Sequence, residues 1–298
     1  MPFACATGSV SYDGNVLRIT VTSADDPRLL DYRDLNHSDN RPDLPGGKGL
    51  VIAEGPLVVG RLLDSRFPVR SIVGFGNRLD EFLADPGTAR TVADAGVPVY
   101  EVERRTLAET VGFDMHRGLL AAADRVSGMS VGAALDGART IAVLEGVGDH
   151  ENIGSLFRNA AGLGVDAVLF GPGCADPLYR RVVRVSMGHV LRTPFAHLPG
   201  TPTTWQRGLA DLREDGFTLL SLTPDPRAEH LADAMRGADG GPVGRLALLV
   251  GAEGPGLSEH AMRATDVRAR IPMAPGTDSL NLATAAAVAF YERQRSLR

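Results

Sequence analysis

Cysteine, lysine and long apolar runs are what this sequence is short of. Its 298 residues hold 2 cysteines, Cys5 and Cys174. That is too few for a disulfide framework or a four-ligand zinc site, so no metal is expected and a reducing compartment, the cytoplasm, fits best. No apolar run reaches the roughly 18 residues that a membrane helix needs. The opening stretch MPFACATGSVSYDG has neither the basic n-region nor the apolar h-region of a secretory signal. A strongly basic domain is missing too. The formal net charge is −5, with both signs spread over both halves, so bulk positive charge advertises no nucleic-acid binding. Lys48 is the single lysine, which leaves 31 − 1 = 30 arginines. A GC-rich genome accounts for such a bias. A use for guanidinium groups on phosphates is the functional reading.

What is present belongs to an ordinary globular chain. The 44% hydrophobic and 22% charged fractions and the length fit one large domain or two of common size. The second half alternates strand and helix patterns. TIAVLEG, VDAVLFG, FTLLSLTP, RLALLVG and VRARIPM read as strands, and IGSLFRNAAGLG, the arginine-rich stretch after Pro177 and TWQRGLADLREDG as helices. Near-continuous apolar strands separated by helices indicate a parallel sheet covered on both faces, an α/β domain assigned to 139–298. The first half reads as a smaller α/β domain within 1–127, with elements from about residue 20. LVIAEG, VRSIVGF and VPVYEVE are its strands, DEFLADPGTARTVADAG is helical with a break at Pro86-Gly87, and HRGLLAAADR completes the sheet. The stretch 128–138 has no strong pattern and is assigned as a linker. NHSDNRPDLPGGKG, residues 36–49, reads as a mobile polar loop.

Four local features carry chemistry. From Leu178 to Ala210 there is no Asp or Glu, while Arg180, Arg181 and Arg184 fall near one helical face after an Asp-Pro entry signal. Either a solvated helix face or an anion-facing surface satisfies that pattern. Gly146-Val-Gly148 after a strand resembles the start of a dinucleotide fingerprint, but the third glycine position holds Glu151, so a NAD site is excluded. LLVGAEGPGLS puts Glu253 among glycines just past a strand's C-terminal end, where open α/β sheets bind ligands. Finally, IPMAPGTDSLNLATAAAVAFYE, residues 271–292, runs from a Gly/Pro turn through Ser279, Leu280 and Asn281 into an alanine-rich helix. A turn, two polar side chains and a helix N-terminus aimed at one spot suit a ligand better than packing alone.

Three of these stretches, NIGSLFRNA, GAEGPGL and IPMAPGTDSLNLA, stand in the order and spacing of the motifs of the SpoU/TrmH branch of the SPOUT methyltransferases, and the chain resembles that family over 139–298. Pro275 is an extra residue relative to the family pattern. The first half is similar, more loosely, to the ribosomal-protein-like substrate-binding domain that precedes such catalytic domains. The resemblance implies a C-terminal trefoil knot, a homodimer, S-adenosylmethionine as cofactor, and RNA ribose 2′-O-methylation, of ribosomal RNA before transfer RNA. A catalytically silent RNA-binding protein of the same fold is the alternative. By the same resemblance Arg158 activates the 2′-hydroxyl. Asn152, Glu253, Ser279 and Asn281 orient the sugar and hold the loops. Leu222, Thr223, Gly251, Ile271, Met273 and Leu280 surround the cofactor. Arg180, Arg181 and Arg184 are expected to hold RNA phosphates.

Overall fold

The structure, a computed structural model, describes residues 10–13, 16–38, 49–237 and 239–298. The chain forms two compact units, Met1–Val126 with Leu178–Arg192, and Ser127–Pro177 with Thr193–Arg298. Most of the loop expected at 36–49 lies outside the described residues.

In the first unit β1 (Val10–Asp13) and β2 (Val16–Thr20) precede α1 (Leu35–Ser38), β3 (Leu50–Glu54), α2 (Pro56–Leu63), β4 (Val69–Gly74), α3 (Gly76–Leu83), α4 (Pro86–Asp94), β5 (Val99–Glu101), α5 (Arg104–Val111) and β6 (Leu119–Asp124). The strands form one mixed sheet in the order β1-β2-β5-β4-β6-β3. β6 runs antiparallel to both β4 and β3, so the segment read as completing the sheet lies inside it. The break between α3 and α4 is a capping event. Asp85 accepts the Thr88 N–H at 2.8 Å, and Pro86 takes the first helical position, where its missing N–H costs nothing. Leu29, Ile52, Val73, Leu107 and Leu120 close the core around Tyr32. The buried Tyr32 hydroxyl donates to the Ser71 carbonyl at 2.8 Å and accepts the Ala122 N–H at 3.2 Å.

The remaining elements are α6 (Val131–Ala134), β7 (Thr140–Glu145), α7 (His150–Gly162), β8 (Ala167–Phe170), α8 (Arg180–Val185), β9 (Phe195–His197), α9 (Arg207–Glu214), β10 (Phe217–Leu222), β11 (Glu229–His230), α10 (Leu231–Ala234), β12 (Arg245–Gly251), α11 (Glu259–Arg263), β13 (Val267–Arg270) and α12 (Leu282–Ser296). Except for α8 they build the second unit on a parallel sheet ordered β11-β13-β10-β12-β7-β8-β9. Leu169, Leu219, Leu249 and Trp205 belong to the core cluster on one face of this sheet, while α7 and α12 pack on each other.

Two boundaries differ from the sequence reading. The stretch 128–138 packs within the second unit: Ser130 caps α6, and Ala134, Leu135 and Ala138 are buried in its core. A one-turn helix is too short to show a period. Leu178–Arg192 clusters with the first unit, because Val182 and Val183 of α8 are fully buried and the helix packs on β3. Asp176-Pro177 does not open α8. Tyr179 is its N-cap residue, without a side-chain cap.

Candidate active site and cofactor cavity

β7 and β12 lie side by side at the centre of the second sheet. After β7 the chain turns towards β8 and β9, and after β12 towards β13 on the other side. The loops that follow them therefore diverge at a switch point, the place where open α/β sheets leave a crevice. A cavity of about 420 Å³ opens beside it, on the β12 side, walled by the ends of β10, β12 and β13, the 252–256 loop, the 271–281 loop and the start of α12. Leu222, Thr223, Gly251, Ile271, Met273 and Leu280 all line it, as do Glu253, Ser279 and Asn281. All six residues expected around a cofactor thus share one cavity.

Three amide and carboxylate side chains lock the loops together. The Asn152 side-chain N–H donates to Glu253 Oε1 at 2.9 Å. The Asn281 Nδ2 donates to Asn152 Oδ1 at 2.8 Å and to Glu253 Oε1 at 2.9 Å. Asn281 Oδ1 accepts the Thr284 N–H at 3.2 Å and so caps α12. The amide orientations follow from these partners. A carboxylate only accepts, and a helix N-terminus only donates, so turning either asparagine would set like against like. Each motif supplies one corner of this triangle. Asn152 is buried behind it, while Glu253 and Asn281 stay exposed on the cavity side. Asn159, which the sequence reading passed over, adds a fourth tie by donating to the Ala283 carbonyl at 3.1 Å. Its signal was a second amide one helical stretch after the first.

The chain's own backbone demands glycine at 251. A Cβ at this position would lie 2.1 Å from the Gly256 carbonyl carbon and the Leu257 nitrogen. The loop folds back onto its own strand end, closed by the Gly256 N–H donating to the Ala252 carbonyl at 2.9 Å. The extra Pro275 is accommodated in a turn. The Thr277 N–H donates to the Ala274 carbonyl at 3.3 Å, Pro275 takes the second position and Gly276 the third, with φ +84. Proline with fixed φ followed by a glycine at positive φ is the type II pattern, and this tip does not line the cavity.

Arg158 is not brought to the cavity. It is exposed on α7 and is absent from the cavity wall. Six residues on from Asn152, at 3.6 residues per turn, it is rotated by about 240° around the helix axis, away from the triangle. Nor is α8 acid-free in space. Glu54, at the end of β3, lies 3.4 Å from Arg180 Nη1 and 3.9 Å from Arg184 Nη1. The Arg180 guanidinium also stacks on the Phe113 ring at 4.9 Å. Arg181 is exposed and Arg184 is half-exposed. Asp166 accepts the Arg139 and Thr140 N–H groups at 2.8 Å each and so anchors the far end of β7. Burial pushes the Cys174 thiol up to about 11, which leaves it a neutral thiol near pH 7 and a poor nucleophile.

The SpoU rRNA methylase family model matches residues 139–291. A protein of Mycobacterium tuberculosis described as an uncharacterized tRNA/rRNA methyltransferase is 56% identical over 276 residues, covering 93% of this chain and 91% of that one. The 23S rRNA (guanosine-2'-O-)-methyltransferase RlmB of Ralstonia nicotianae is 29% identical over 246 residues, 80% of this chain and 94% of that one. Among solved structures, the AdoMet-bound rRNA methyltransferase of Sinorhizobium meliloti superposes with a TM-score of 0.73 at 22% identity, over 94% of this chain and 99% of that one, a likeness of fold. With the family match over more than half its length and a relative of this identity along nearly all of it, the chain belongs to the SpoU rRNA methylase family.

Proposed function

We propose that this protein methylates a ribose 2′-hydroxyl of RNA, ribosomal RNA in preference to transfer RNA, with S-adenosylmethionine as methyl donor. The observation that carries this reading is the interlock of Asn152, Glu253 and Asn281 at the rim of one cavity. The cavity fits the donor by size and lining. Its volume is in the range of pockets for ligands of this class, with Leu222, Ile271 and Leu280 as apolar wall and Glu253 and Asn281 at a polar rim. When bound, S-adenosylmethionine supplies a methyl group on a sulfonium, an electrophile that needs no metal.

A 2′-hydroxyl is a weak nucleophile at neutral pH. Arg158 acts as an electrostatic partner that eases transfer of the hydroxyl proton to water beside an RNA phosphate. Asn152, Glu253 and Asn281 hold the cavity loops in one geometry, and Ser279 adds a hydroxyl on the same wall. In-line alignment is the main work of the site. Because Arg158 faces away from the triangle in its own chain, the reading includes a homodimer in which a second copy brings Arg158 to the cavity. The first unit serves as the RNA-recruiting domain, with Arg181 and Arg184 on phosphates, and the protein works in the cytoplasm. No helix among the described residues is long and apolar enough to cross a membrane. The knot is supported by the chain's path after β13. It leaves a strand three places from β7, passes the 252–256 loop, and returns as α12 against α7.

Mapping 2′-O-methyl groups in RNA from a deletion strain and its parent tests this. One site in ribosomal RNA should lose its methyl group. An unchanged ribosomal and transfer RNA map would overturn the reading.

A further inference from the structure

A carboxylate stands at the end of a strand whose four middle residues are apolar. β7 reads TIAVLE, and Glu145 is only 9% exposed. Both of its oxygens are engaged. Oε1 accepts the Trp205 indole N–H at 3.0 Å and the Ser258 hydroxyl at 2.8 Å, and Oε2 accepts the Ser258 backbone N–H at 2.8 Å. The amide of Gln206, turned so that its oxygen faces the indole, lies 2.9 Å from the same N–H. Ser258 in turn caps α11 by accepting the Ala261 N–H at 3.1 Å.

The register explains why Glu145 meets Ser258. Glu145 pairs with Gly251 across the parallel ladder, and register partners project to the same face of a sheet. Gly251 leaves room for the 256–257 backbone to come down on that face. Glu145, its neighbour, grips the next residue of the same returning chain. The loop between carries Glu253 and walls the cavity. It is thus held at its base by a missing side chain and at its far end by a buried carboxylate.

We infer that Glu145 is a positioning residue: through Ser258 it fixes the 252–257 loop in the form that binds S-adenosylmethionine and presents Glu253 to Asn152 and Asn281. This rests on the methyltransferase reading. Glutamine cannot replace it. Glu145 accepts from three donors, and a carboxamide has one acceptor oxygen and would turn an N–H toward a donor. Trp205, the one tryptophan of the chain, makes the link visible, because its indole N–H ends on the same carboxylate.

The test compares wild type, Glu145→Gln, Ser258→Ala and Asp166→Asn by calorimetric titration with S-adenosylmethionine, below every variant's melting transition. Asp166 anchors the opposite end of the same strand through two backbone N–H groups, so its variant measures loss of fold stability alone. Glu145→Gln should weaken binding by about tenfold or more, and Ser258→Ala should weaken it by less. Asp166→Asn should lower the melting temperature with affinity unchanged. Trp205 emission should change on cofactor binding in wild type and lose that response in Glu145→Gln. Wild-type affinity in Glu145→Gln, or an equal loss in Asp166→Asn, would overturn the proposal. Should Glu145→Gln fail to fold, parental affinity in Ser258→Ala together with a cofactor-silent Trp205 in wild type would overturn it. Wild-type protein that binds no S-adenosylmethionine would refute the methyltransferase reading itself.

Discussion

At the scale of single residues, Asn281 does two jobs with one amide. Its oxygen caps α12 and its nitrogen ties Asn152 to Glu253. Asn281→Ala should therefore cost about 1 kcal/mol as a lost cap, and also weaken S-adenosylmethionine binding because the triangle opens. Asn281→Asp keeps the cap but sets a carboxylate against Glu253, so it should retain stability better than cofactor affinity. Equal affinity in wild type and both variants, measured by calorimetry, would remove the triangle from the site. Cys174 makes a separate prediction. Its thiol accepts burial by staying neutral, with a pKa of about 11 against an ordinary value of 9.0. At pH 8 about one thiol in a thousand is ionised, so a Cys5→Ser variant should alkylate some hundredfold more slowly than a free thiol. The sign for stability follows from the raised value. The contribution is fully present below pH 9.0 and is lost as the pH rises through about 11. Iodoacetamide labelling and alkaline melting curves check the two halves.

At the scale of elements, long apolar strands such as TIAVLE and RLALLVG were legible because a buried parallel strand leaves a continuous signature. The three motifs were legible as a set, and with them the cavity residues. What the chain's linear order hides is partnership across distance. Glu54 stands 126 residues before Arg180, so nothing local revealed that α8 carries its own counter-ion. Gly251 stood out in its motif, but the clash that demands glycine there comes from backbone five residues on. β1, β2 and β9 were passed over because strands of three to five residues show little period. The geometry of α8 divides its arginines. Arg180 is committed to Glu54 and Phe113, so Arg180→Ala should mainly destabilise the first unit. Arg181→Ala and Arg184→Ala should each lower the slope of log affinity for single-stranded RNA against log salt by about 0.7. Fluorescence anisotropy over a salt series reads this, and unchanged slopes in both variants would remove α8 from the RNA surface.

At the scale of the whole molecule, Ala283, Ala286 and Ala289 of α12 are buried within their own chain, and Val288 and Tyr291 are the large apolar side chains that α12 leaves exposed. In the proposed homodimer, a seam along this helix would rest on Val288 and Tyr291. Replacing both by Glu should give a folded monomer by light scattering that has lost methyl transfer, and a fully active monomer would contradict the shared site. The central claim is narrower than the assembly: one cavity binds the donor, and Arg158 activates a ribose hydroxyl. Purified wild type and Arg158→Ala, incubated with ribosomal RNA from the deletion strain and labelled S-adenosylmethionine, test it directly when the RNA is digested and its nucleosides are separated by mass. The account predicts a 2′-O-methylated nucleoside from wild type, and from Arg158→Ala turnover lower by about 10² or more with donor affinity unchanged. A methyl group on a base, or parental single-turnover rates in Arg158→Ala, would contradict it.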